Sequence, residues 1–325
     1  MRTTLAQRAR GAARAAAKRL LNRIDAPVLV LIYHRVTTLT HDPQLLAVAP
    51  EHFRDQLRFL KRRYPLVRFD ADWSAVAEPS VAITFDDGYA DNALEALPII
   101  EEVGVPVTFF ISTGYVGTER EFWWDELERL ILGAAARPET FVLRDQNFGT
   151  RWPTRTEAER SSLYRELHPL MKQVDHLHRE TWLNQVRQWA GPAEQGRERC
   201  RPLSRAELLR LAASTWATIG AHTVWHTRLS VLSPERQEEE ILGSKNDLAA
   251  WTGKDITVFS YPFGGQCDYN RDSLRICRKA GFIRAAANRS GQAHRWTDPC
   301  QVPRHLVRNW PLELFRENLQ SFWLQ

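Results

Sequence analysis

The stretch Val81-Ala82-Ile83-Thr84-Phe85-Asp86-Asp87-Gly88-Tyr89 decides the fold. Its β-rich run, Val81 to Phe85, reads as a buried strand, and the alanine- and leucine-rich segment Ala90 to Val103 reads as the helix that follows. Two carboxylates and a glycine stand at the junction. Successive strand side chains face opposite ways, so both acids reach one site only if the chain is already turning at Asp87, which Gly88 permits. The plainer alternative makes Asp87 a helix N-cap and leaves Asp86 solvated.

The same strand-then-helix pattern extends to both sides. Upstream, Pro27 opens Val28-Leu29-Val30-Leu31-Ile32-Tyr33-His34-Arg35, a continuous apolar run of the kind a strand covered on both faces requires. Pro50 to Tyr64 follows as a helix, with Phe53, Leu57 and Leu60 on one side. Downstream, Val105 to Ser112 is a second buried strand, and strand, helix, strand is the parallel crossover unit. The pattern resumes with strands at Thr215 to Ala221, Ile256 to Phe259 and Phe282 to Ala287. Helices Ser233 to Trp251 and Arg271 to Ala280 separate them, the second stopped by Gly281. The expectation is an α/β fold whose parallel barrel occupies 26–116 and 204–325. Residues 117–203 are polar, rich in Arg and Glu, with tryptophans at 123, 124, 152, 182 and 189 and one strand-like run, Thr140 to Leu143. They read as a mainly helical insertion on the barrel rim, its tryptophans either packing it onto the parent domain or stacking on sugar rings.

A length of 325 residues with 43% hydrophobic content suits one large α/β domain carrying such an insertion. The net charge is +5, but Arg2, Arg8, Arg10, Arg14, Lys18, Arg19 and Arg23 crowd the start of the chain with no acid among them, leaving the remainder slightly acidic. A nucleic-acid enzyme carries positive charge on its body, so no nucleic-acid partner is expected. Residues 1–25 form a basic amphipathic helix with a weak, alanine-rich apolar face: a solvated tail, a contact with an anionic membrane surface through residues 1–24, or a transit segment. No apolar run approaches the ~20 residues of a membrane span. Cys200, Cys267, Cys277 and Cys300 are scattered and read as reduced thiols. The expectation is a cytoplasmic chain, which the membrane-contact reading of the tail would put at the inner membrane face.

His222 and His226 stand four apart just after a strand, and on a helical turn that spacing lets both imidazoles share one ion. Parallel barrels collect their chemistry at the C-terminal ends of the strands, the rim shared by the histidine pair, the acid pair and His34. His222, His226 and one Asp give three ligands with positions left open, the composition of a catalytic zinc site. With Asp87 as the ligand, Asp86 remains free to take a proton from water, and Thr223 stands where it can orient a ligand. The same ligand types also build the facial triad of non-haem iron oxygenases, which stays open as an alternative.

Thr84-Phe85-Asp86-Asp87-Gly88 and His222-Thr223-Val224-Trp225-His226 resemble the first two motifs of the polysaccharide deacetylase superfamily, carbohydrate esterase family four, with its NodB-homology domain. Ser260-Tyr261-Pro262-Phe263-Gly264 resembles the third motif of a branch lacking its arginine. Leu31 to Val36, Trp123-Trp124-Asp125 and Val302-Pro303-Arg304-His305 also resemble that branch. The resemblance implies a distorted (β/α) barrel of about seven strands, one divalent metal ion, usually Zn2+, and removal of an acetyl group from a glycan or glycolipid. It implies Asp86 as general base, Asp87, His222 and His226 as metal ligands, and Tyr261, Pro262 and Phe263 as the third motif, with a backbone N–H near Phe263 for the oxyanion. Ser260 stands where the family's arginine orients the base, and Arg304 is the candidate replacement. The family's late general-acid histidine has no recognisable counterpart; His305 and His34 are the candidates. A small-amide hydrolase and a silent carbohydrate-binding domain are the other readings of the same fold.

Overall fold

The computed structural model describes residues 20–22, 24–133, 137–146, 148–191 and 196–325. Most of the basic N-terminal helix expected over 1–25 lies outside the described residues. Seven parallel strands form the main sheet: β1 (Val28–Tyr33), β2 (Ser80–Phe85), β3 (Val107–Ile111), β4 (Ala217–Ala221), β5 (Val258–Ser260), β6 (Arg284–Ala286) and β7 (His305–Leu306). Their order is β6-β5-β4-β3-β2-β1-β7. The sheet curls until its edges nearly meet: Val302, just before β7, bridges to Ala286 of β6, while His305 pairs with Leu31 of β1. This is the distorted seven-stranded barrel.

The two faces of each strand divide the core. Leu29, Leu31 and Tyr33 of β1 pack outward with Val81, Ile83 and Phe85 of β2, against Phe53, Leu57 and Leu60 of helix Pro50–Arg63. Val28, Val30, Ala82, Phe110, Val258, Ala286 and Val302 fill the interior. Both sets are buried, which is why the strands read as unbroken apolar runs. The period of two continues past the strand ends and decides which polar side chains enter the barrel mouth.

Among the described residues of the segment 117–203 between β3 and β4 are the helices Trp123–Leu132, Glu157–Met171 and His176–Ala190. They come with a hairpin of Thr140–Arg144 and Gly149–Pro153, whose second strand the sequence reading missed because Gly149 and Pro153 dilute its pattern. These elements share a second apolar cluster that reaches the barrel through Tyr89 and Tyr115. Trp123, Trp124, Trp152 and Trp182 are all buried in it, so packing is their structural role. The segment expected as a simple helix over 90–103 begins as a π-helical turn, Asn92–Ala96, before the α-helix Leu97–Val103. The wider turn lets Asn92 Nδ2 reach the His34 carbonyl at 2.9 Å, and Asp91 accepts from Arg35 Nε and the Val36 N–H.

Candidate metal centre and active site

The turn after β2 is made by Asp87, with φ 75°, and Gly88, with φ 93°. That break in the extended backbone swings Asp87 to the side Asp86 already faces; both are 3% exposed. The N-cap alternative for Asp87 fails on this geometry. His222 and His226 follow β4 in a loop rather than the helical turn expected. Thr223 and His226 have φ of 63° and 50°, and these two left-handed residues bring the imidazoles together with ring centroids 4.9 Å apart.

Asp87 Oδ1 lies 3.6 Å from His222 Nε2 and 3.3 Å from His226 Nε2. The three ligand atoms fall within 4.8 Å of one another. His222 Nδ1 donates to the Ser260 carbonyl at 2.7 Å, which assigns its proton to Nδ1 and leaves the Nε2 lone pair facing carboxylate oxygens. Burial lowers His226 to about 4 against the pull of Asp87, so its ring is neutral near pH 7. Burial pushes Asp87 up, but the facing His222 and His226 imidazoles outweigh it and hold the carboxyl well below the usual range. Two imidazole nitrogens converging on a buried carboxylate form a donor set that fits a divalent ion.

Asp86 is held separately. Arg304 Nη1 and Nη2 donate to its two oxygens, each at 2.7 Å, and Ser260 Oγ donates to Oδ2 at 3.0 Å. Arg304 also reaches Thr84 Oγ1 and the Ala287 carbonyl, and its side chain is fully buried. Burial raises Asp86, and the guanidinium with His222 outweighs it, so the carboxyl sits below its ordinary range. A bidentate fork fixes the plane of the carboxylate as well as its charge. Ser260 therefore shares Asp86 with Arg304, the two arriving from β5 and the segment before β7 at one point.

The other expected residues divide. Alternation carries His34 after Val30 and Ile32 into the mouth, where its Nδ1 is buried without a hydrogen-bond partner among the described residues. Burial lowers its pKa, and Asp87 and Asp86 oppose that. His305, one residue past Arg304, faces the opposite way: it stacks on Phe322 at 4.2 Å and pairs with Gly291. The structure does not bring His305 to the carboxylates, because neighbouring strand residues cannot share a face. Tyr261 likewise turns outward, stacking on Tyr269 and donating to the Cys300 carbonyl. After buried Pro262, Phe263 adopts φ 62° and sets its ring against His226 at 4.7 Å. Thr223 Oγ1 has no hydrogen-bond partner among the described residues.

Other neighbours of the site were given no catalytic role by the sequence. Trp124 lies 4.6 Å from His226, opposite Phe263, and donates to Tyr89 Oη, which donates to Asp125 at 2.6 Å. Burial pushes Asp125 up to about 7. The clue was present in Trp123-Trp124-Asp125, but pairing it with Tyr89 required the tertiary contact.

Comparison with known proteins supports the same reading. The family model "Polysaccharide deacetylase" matches residues 74–135 and 151–285, more than half of the chain. The Bacillus subtilis (strain 168) protein named "Putative polysaccharide deacetylase YxkH" is 22% identical over 232 residues, 71% of this chain and 52% of its own length, so the chain spans about half of that relative. Among solved structures, BC0361, a polysaccharide deacetylase from Bacillus cereus, matches with TM-score 0.59 at 17% identity, over 93% of this chain and 70% of its own. The Streptococcus pyogenes deacetylase PplD, solved with acetate, gives 0.58 at 17%, over 92% and 99%. IcaB from Ammonifex degensii gives 0.58 at 18%, over 93% and 98%. With the family model covering the double-acid and double-histidine motifs on this barrel, the chain belongs to the polysaccharide deacetylase family.

Proposed function

We propose that the protein is a metal-dependent hydrolase that removes acetyl groups, N-acetyl in particular, from a polysaccharide or glycolipid precursor. One observation carries this: a carboxylate kept ionised by Arg304 and Ser260 stands 3.8 Å from the imidazole of a separate three-ligand cluster. Asp87, His222 and His226 would hold the divalent ion, zinc by donor chemistry. Such an ion supplies polarisation of a carbonyl oxygen and acidification of water. Asp86 takes the proton of the attacking water, with Arg304 keeping it oriented and low in pKa. The backbone N–H at Phe263 is the assigned oxyanion donor. His34 is the assigned general acid, because it alone of the two candidates enters the barrel mouth.

The test is acetate release from N-acetylglucosamine oligomers and other acetylated glycans, using wild type, a chelated sample, a zinc-restored sample and Asp86→Asn. Acetate that needs both metal and Asp86 supports the reading. Metal binding without turnover of any acetylated sugar refutes the substrate class and moves small amides forward. The same proposal places the enzyme in the cytoplasm at the inner membrane face through residues 1–24; described Leu20 and Ile24 are exposed. Unchanged membrane partition after deletion of residues 1–24 would remove that placement.

A further inference from the structure

The loop carrying both histidines is held by side chains from two different helices, neither of them in a motif. Glu240, on helix Pro234–Thr252, accepts the N–H groups of Val224 and Trp225 on one oxygen, each at 2.9 Å, and faces Thr227 Oγ1 at 3.4 Å. Arg179, on helix His176–Ala190, donates Nη2 to the Trp225 carbonyl at 2.9 Å. Both side chains are buried, Arg179 at 1% and Glu240 at 9% exposure. The Trp225 indole stacks on His176 at 4.1 Å and 5° and meets Tyr115 edge-on.

The bed beneath the loop is cut to fit. A Cβ on Gly114 would stand 2.6 Å from the Trp225 ring, and one on Gly243 would stand 2.9 Å from Val224 Cγ2. Gly114 also donates its N–H to the Val224 carbonyl at 2.8 Å. These contacts matter because of where they act. The Trp225 carbonyl lies in the peptide plane whose rotation is the φ of His226, and that φ is the left-handed 50° that aims the imidazole at Asp87. Fixing the carbonyl fixes the ligand.

We propose that Arg179 and Glu240 are positioning residues of the metal centre, so that the insertion between β3 and β4 is a structural part of the ion site. The proposal rests on the metal-site reading above. Neither residue contributes a ligand atom to the three-residue cluster. They act as outer supports that orient a ligand through its backbone, where loss typically weakens metal affinity ten- to a hundredfold.

The experiment measures Zn2+ affinity of the full-length protein by calorimetry and the visible spectrum of the Co2+-loaded protein. Arg179→Met and Glu240→Leu are expected to weaken Zn2+ about ten- to a hundredfold and alter the Co2+ bands. Glu240→Gln keeps an acceptor oxygen and Arg179→Lys keeps one donor, so each recovers part of the loss. The control is Arg187→Met, on the same helix but paired with Glu126 and Glu180 away from the loop; it leaves affinity and spectrum unchanged. Folded Met and Leu variants that bind Zn2+ within about twofold of wild type overturn the proposal, as does an equal loss in the control. If those two variants do not fold, Gly114→Ala decides: it displaces Trp225 directly, so unchanged affinity and bands overturn the proposal and weakened binding sustains it. Wild type that binds no divalent ion overturns both this inference and the metal-dependent function, whereas wild-type binding with unaffected variants overturns this inference alone.

Discussion

Replacing Arg304 with methionine leaves Asp86 buried, with Ser260 as its remaining side-chain hydrogen-bond donor among the described residues and His222 at 3.8 Å. Both partners are at most 4% exposed and share two bonds of 2.7 Å, so solvent does not screen the loss. Breaking one partner of a buried pair costs about 3–5 kcal/mol, because the remaining charge is uncompensated. The sign with pH follows from burial. In the wild type Asp86 titrates below its unfolded value, so the ion pair contributes fully above that value and is lost as pH falls through the folded one. In the variant, burial dominates and raises Asp86. The penalty is then greatest near neutral pH and shrinks as acid protonates the carboxyl in both states. Urea denaturation of both proteins at about pH 8 and about pH 4 reads this directly: a loss of about 3–5 kcal/mol at the higher pH, and a clearly smaller one at the lower. A loss under about 1 kcal/mol, or one equal at both pH values, would refute the assignment of Arg304 as the group that holds the base ionised.

Asp86→Asn is expected to bind Zn2+ with wild-type affinity while acetate release falls about 10²- to 10⁴-fold; weakened binding would make Asp86 a ligand instead. His226→Ala should abolish calorimetric Zn2+ binding at micromolar concentration, and retained binding would dissolve the three-ligand cluster. His34→Ala should lower kcat with metal affinity intact, whereas His305→Phe, which keeps an aromatic ring on Phe322, should leave kcat unchanged; reversal of the two would exchange their roles. Asp125, raised to about 7 by burial, binds a proton in the folded state that it releases when unfolded, so stability falls as pH rises from about 4 to 7. Asp125→Asn removes that slope and gains about 1 kcal/mol or more at pH 8 relative to pH 5; equal effects at both would show that Asp125 is already ionised in the fold.

How much of this was legible in advance depended on the range of the interaction. Unbroken apolar runs such as Val28 to Tyr33 marked strands covered on both faces because burial acts residue by residue along the chain. The Asp86-Asp87-Gly88 junction was legible for the same reason: a turn and its glycine are local. The spacing of His222 and His226 pointed to one ion, although the helical turn inferred from it was replaced by a loop with left-handed Thr223 and His226. Separations of four residues fit more than one backbone, and only packing against Gly114, Gly243, Arg179 and Glu240 selects among them.

Sequence by itself determined the barrel class and singled out the candidate base and the three candidate ligands. Tertiary structure decided between Arg304 and His305, adjacent in sequence and opposite in space. Strand alternation sends one to Asp86 and the other under Phe322, and which faces inward depends on the register that pairs His305 with Leu31. It also decided that Trp123, Trp124, Trp152 and Trp182 are buried and that Arg179 reaches the histidine loop. Contacts spanning many tens of residues are set by how the sheet closes, and a linear pattern carries no record of that closure.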